Sequence, residues 1–173
     1  MGSLNIFQSI NNLIDAGGGI LWLILFVSIC MWSLILERYL YLRFDYPKFS
    51  KQLFDQWEAR KDKTSWHSQK IREAMIAEVD LNLRKSILVI KSLVGLCPML
   101  GLIGTVLGMI QVFDVMTYLG NDNARAMAAG VSMATIPTMA GMVIAISGIY
   151  FHVRLVSRIK HEVQLFRDHL TVV

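Results

Sequence analysis

The stretch CPMLGLIGTVLGMIQVF, residues Cys97 to Phe113, is apolar enough to sit in lipid, yet it holds Gly101, Gly104, Gly108, Pro98 and Thr105. Glycine weakens an isolated helix by roughly 1 kcal/mol relative to alanine. A hydroxyl finds no partner in hydrocarbon. A membrane helix with this composition needs something close beside it. The stretch lies inside a longer run, Ser92 to Phe113, with no charged residue across 22 positions. Two similar runs flank it: Ala16 to Leu36, with 21 positions, and Ala126 to Phe151, with 26. A bilayer core takes roughly 20 apolar residues as a helix, and a barrel strand takes about half as many. The runs therefore predict three membrane-spanning helices and exclude a barrel.

The rest of the composition agrees. Of 173 residues, 54% are hydrophobic and 17% charged, and the mean hydropathy is +0.49. That is too apolar for an ordinary soluble domain. None of the 17 Lys and Arg residues precedes Arg38, and 11 lie between Glu37 and Ser86. Four more follow Phe151, and the link between the second and third spans holds Arg125. The positive-inside rule then puts the middle segment and the tail in the cytoplasm and the N-terminus outside. The basic balance is cytoplasmic loop charge beside anionic lipid, not a nucleic-acid surface. The N-terminus lacks the basic region and small-residue cleavage site of a secretory signal.

These signals predict an all-α polytopic membrane protein in seven segments. Residues 1–16 form a periplasmic amphipathic helix, on which Leu4, Phe7, Ile10 and Ile14 share a face. Gly17, Gly18 and Gly19 turn the chain into the first span, 17–37. A cytoplasmic helical loop occupies 38–90, the second span 91–116, a periplasmic link 117–125, the third span 126–151 and a cytoplasmic C-terminal helix 152–173. Arg38, among the aromatic residues at the exit of the first span, is a candidate lipid-head-group contact. Pro47 interrupts the helix, and Phe49, Leu53, Phe54 and Trp57 stripe the next one. KDKTSW, residues 61–66, reads as a turn with Thr64 or Ser65 as N-cap. No breaker then appears before Gly95. The reading is one helix from 66 to 117, roughly 75 Å long. Its stripe of Ile71, Met75, Val79, Leu83 and Ile90 needs a partner, and other copies of the chain are the expected one.

At about 100° per residue, Pro98, Gly101, Gly104, Thr105, Gly108 and Val112 fall on one face of span two. Gly130, Ala134, Thr138, Gly141, Ala145 and Gly148 share one face of span three, with Pro137 at its edge. The simpler reading of such faces is close helix packing, as in GxxxG pairs, with each threonine bonding its own turn. The functional reading is a polar interior. Pro98 and Pro137 free the carbonyls of Val94 and Met133 in mid-membrane, and Thr105 and Thr138 lie at similar depth. On that reading Thr105 and Thr138 line an ion pathway. Pro98, Gly101, Gly104, Gly108, Ala134, Pro137, Gly141 and Ala145 form the slim wall around it.

No span holds an Asp, Glu, Lys, Arg or His well inside it; Lys91 and Asp114 sit near span ends. A proton relay normally needs a titratable group. Any protonatable carboxylate must therefore come from another polypeptide, inserted against the threonine faces. Enzymatic constellations are missing as well. His67, His152, His161 and His169 lack metal-ligand spacing, Cys30 and Cys97 read as buried thiols, and no cofactor is implied.

The three-span layout, with PMLGLIGTVLGMIQVF (98–113) and AAGVSMATIPTMAGMVIAISGIYF (128–151), resembles the MotA/TolQ/ExbB family of ion-channel subunits. The resemblance implies a pentamer in the bacterial inner membrane, around a pore lined by spans two and three. A dimer of ExbD-like single-span subunits would occupy the pore and supply the protonatable Asp. Work driven by the proton motive force would pass to a TonB-like protein, energising outer-membrane import of iron-siderophore or haem. The family's pore threonines map by motif onto Thr105 and Thr138. Many ExbB proteins carry a Glu where this sequence has Met133, so a role for that carboxylate does not transfer. A TolQ-like motor for the cell envelope and a purely structural membrane scaffold are the alternatives. A MotA-like stator would have four spans.

Overall fold

The computed structural model describes residues 2–59, 65–119 and 124–170. Among these residues the chain forms five helices: α1 Gly2–Phe44, α2 Tyr46–Glu58, α3 Trp66–Arg84, α4 Ile87–Leu119 and α5 Ala124–His169. Three stretches are long and apolar enough to cross a membrane, within Gly19–Phe44, Trp66–Thr117 and Gly130–His169.

The helix boundaries depart from the sequence reading at two places. The glycine triplet does not turn the chain, because α1 runs unbroken through Gly17, Gly18 and Gly19. Glycine lowers helix propensity without removing a hydrogen bond, whereas proline does remove one. The side chains of Leu4, Phe7, Ile10 and Ile14 lie outside the described residues. The expected single helix over 66–117 is two helices, separated at Lys85 and Ser86. Ser86 adopts φ 67°, the left-handed region that serine seldom occupies. The break carries none of the Gly or Pro punctuation that would reveal it in the sequence. Conversely, Pro98 and Pro137 both stand inside unbroken helices. Pro47 sits in the first turn of α2, where its missing N–H has no intrahelical partner to lose. Ser65 holds the N-cap position of α3 in extended conformation, and Lys61 to Thr64 lie outside the described residues.

The chain divides into two compact units, Met1–Trp32 with Ser92–Ile149, and Ser33–Lys91 with Tyr150–Val173. In the first unit Ile24, Met31, Val94, Cys97, Val112, Ala134 and Ala145 are buried. Large apolar side chains face outward, with Phe26 66% and Val143 and Ile146 each 68% exposed. Such an exterior suits lipid or neighbouring membrane helices and not water.

The second unit has its own core. Tyr46, Leu53 and Trp57 of α2, Met75, Val79 and Leu83 of α3, and Leu155, Ile159 and Phe166 of α5 are buried. Phe54 packs on Phe166 with ring centroids 4.8 Å apart. Arg72 donates to the Arg167 carbonyl at 3.2 Å. The α3 stripe, expected to seek other copies, is therefore covered within the chain. Because α5 continues unbroken to His169, it supplies the apolar face that the stripe requires.

Candidate functional site

The first unit brings the small faces of α4 and α5 together. A Cβ placed on Gly141 would stand 2.5 Å from the Cys97 carbonyl oxygen. One on Gly108 would stand 2.5 Å from the Ala134 Cβ, and one on Gly101 2.9 Å from the Thr138 Cα. Gly104 meets Pro137 in the same way. Only hydrogen in place of a side chain lets the backbones come this close. Attraction between such helices in lipid rests on dispersion and hydrogen bonding, since tails are as apolar as leucine.

Gly101, Gly104, Ala134, Pro137, Gly141 and Ala145 are buried in the seam, and Gly108 and Pro98 are half-buried beside it. The buried glycines and alanines are covered by the chain itself. They form a helix–helix contact within the chain. A pattern of small residues states that a close neighbour exists and is silent on which neighbour.

The two threonines differ from these small residues. Thr138 donates across the seam to the Gly101 carbonyl at 2.8 Å, and Thr105 donates within its own helix to the Leu102 carbonyl at 2.7 Å. Both residues remain half-exposed. Ile20 of α1 approaches Gly104, and Met31 approaches Gly148. So α1 closes one flank of the seam. At about 100° per residue, Thr105 and Thr138 both fall on the opposite flank. Near them α5 exposes Ser132 and Thr135, with the Thr135 hydroxyl donating to the Ser132 carbonyl at 2.9 Å. This second hydroxyl pair lies off the small-residue arc, so helical spacing of small residues does not mark it in the sequence.

Met133 is exposed, away from the seam. Arg38, in the second unit, is only 3% exposed, with its guanidinium 5.1 Å from the centroid of the Tyr41 ring. No group of three or more His, Cys, Asp or Glu with metal-binding geometry occurs among the described residues.

Three crossings joined by a glycine seam, with hydroxyls as the polar side chains at mid-span, define a multi-pass membrane protein. Residues 45–168 match the MotA/TolQ/ExbB proton channel family, and the chain belongs to that family. It is 25% identical over 155 residues to the biopolymer transport protein ExbB of Aquifex aeolicus, covering 90% of this chain and 88% of that protein. It is 33% identical over 101 residues to the putative biopolymer transport protein ExbB-like 1 of Synechocystis, covering 55% of this chain and 40% of the relative. For the putative ExbB-like 3 protein of the same organism the figures are 33% over 84 residues, 47% and 39%. The matched stretch thus spans about two fifths of each Synechocystis relative and most of the Aquifex one. No solved structure matches the chain.

Proposed function

We propose that this chain is the ring-forming subunit of a proton-driven motor of the ExbB type. The observation that carries the reading is a proton-channel family member whose spans hold hydroxyls, but no Asp, Glu, Lys, Arg or His, at mid-depth. A proton path through such spans needs a borrowed carboxylate. A single-span, ExbD-like partner bearing an Asp is its natural source. The flank opposite α1 is the side offered to that partner, with Thr105 and Thr138 as the hydroxyls facing it. Several copies, five in the expected ring, surround a pair of partner helices. The lysine and arginine distribution orients the N-terminus to the periplasm and the tail to the cytoplasm of the inner membrane. One proton crossing 100 mV releases about 2.3 kcal/mol, so a few protons match the cost of shifting packed helices. The load is a TonB-like protein serving outer-membrane import of iron-siderophore or haem. The names of the relatives favour this load over a TolQ-like one.

The test is co-expression with an ExbD-like protein, followed by native mass spectrometry and siderophore-dependent growth. The expected result is a complex of several chain copies around two partner copies. Thr105→Ala combined with Thr138→Ala should assemble normally and lose uptake. A double variant that assembles and still energises uptake overturns the pathway role of the hydroxyls. A chain that never retains the partner overturns the motor reading.

A further inference from the structure

In the second unit a cavity of about 280 Å³ is lined by Arg84, Ile87, Leu88, Lys91, His152, Val156, Ile159 and Lys160. Its lining holds cationic and apolar side chains and no carboxylate. Arg84 is paired with Asp80 at 2.7 Å, while Lys91 and Lys160 have no ion-pair partner among the described residues. His152 lines the cavity, and its Nε2 is buried without a hydrogen-bond partner among the described residues. A buried polar atom of this kind costs free energy until a ligand meets it. The break at Lys85 and Ser86 starts α4 at Ile87, so the first turn of that helix lines the same cavity. A helix N-terminus attracts negative charge through its unbonded N–H groups. Cationic side chains, an orphaned ring nitrogen and a helix start all call for an anion with several acceptor oxygens.

The position in the chain says which anion. Lys91 immediately precedes the uncharged run of span two, and His152 immediately follows that of span three. Leu88, 75% exposed, and Val156 give the cavity an apolar rim. A free phosphate has no use for such a rim, whereas an acyl chain does.

We propose that this cavity binds the phosphate group of an anionic membrane lipid, with Lys91 and Lys160 as the charge partners and the His152 ring nitrogen as a further hydrogen-bond partner. Arg38, the contact suggested by sequence, is buried elsewhere and is not part of this site.

The purified full-length chain in detergent is titrated with dioleoyl-phosphatidylglycerol, with dioleoyl-phosphatidylcholine and with inorganic phosphate, and bound species are counted by native mass spectrometry. Wild type should retain phosphatidylglycerol in preference to phosphatidylcholine. Lys91→Gln with Lys160→Gln should weaken that retention by roughly 30-fold, given the usual contribution of a lysine at an anionic surface. Lys91→Arg with Lys160→Arg should keep it. Arg43→Gln with Arg154→Gln removes the same charge near span ends but outside the cavity, and should weaken retention far less. Circular dichroism of each variant confirms that the helices persist. Equal losses in the two glutamine pairs overturn the site. Full competition by inorganic phosphate overturns the lipid as its source. A Lys91→Gln, Lys160→Gln chain that changes ring size without changing lipid retention assigns the cavity to a neighbouring subunit and overturns the proposal.

Discussion

Glycine does two different things in this protein, and single substitutions separate them. At Gly141 a methyl group would collide with the Cys97 backbone, which cannot rotate away. At Gly95 nothing lies within 4 Å. Gly141→Ala should therefore lose about 1–3 kcal/mol through overpacking. Gly95→Ala should gain up to about 1 kcal/mol from helix propensity. Unfolding of the isolated chain in mixed detergent micelles reads both, and equal effects at the two sites would contradict the seam. Thr138→Val removes the bond to the Gly101 carbonyl and should cost about 0.6 kcal/mol, the usual size of such bonds between membrane helices. Thr105→Val breaks a bond within one turn and should be close to neutral for stability. These differences in direction were not legible in the sequence, which puts Gly141 on a small-residue face without saying what that face meets, and in which both threonines seem to serve one pathway.

At the scale of elements, the helix break and the α2 contact are the points that experiment can address. Ser86 holds a left-handed backbone, which costs a non-glycine residue roughly 1–2 kcal/mol. Ser86→Gly relieves most of that and should stabilise the chain by about 1 kcal/mol, after the entropy that glycine adds to the unfolded state. If the break were absent and the helix continuous from Trp66, the same change would destabilise it. Tyr46 anchors the start of α2, donating its hydroxyl to the Glu162 carbonyl of α5 at 3.3 Å. Burial, and then the nearby Glu162 carboxylate, push its pKa up to about 12. The folded-state value exceeds the unfolded one, so the neutral phenol stabilises the fold fully below pH 10. That contribution fades as pH rises towards 12. Ultraviolet titration should find a phenol step near pH 12. Tyr46→Phe should remove both that late step and the alkaline decline in stability.

At the scale of the whole molecule, the three crossings follow directly from three uncharged runs, because lipid penalises any unsatisfied backbone or charge over their length. Family membership was legible for a related reason, since the small and hydroxylated residues of 98–113 and 128–151 make an unusual pattern. The absence of a mid-span acid was equally plain, and it leads to the assembly-scale prediction: the chain expressed alone should not conduct protons across liposomes. Adding an Asp-bearing single-span partner should restore proton flux, measured with a pH-sensitive dye. Conduction by the chain alone would remove the case for a borrowed carboxylate. Sequence by itself thus determined that three runs are apolar enough to cross a membrane and that none holds an Asp, Glu, Lys, Arg or His well inside it, both of which depend on local composition against a uniform solvent. Tertiary structure alone decided that the glycine faces close on each other, that the α3 stripe is covered from within, and that the helix breaks at Ser86. Each of those is a choice among partners of similar local chemistry, settled by which surfaces fit together and not by any residue's own preference.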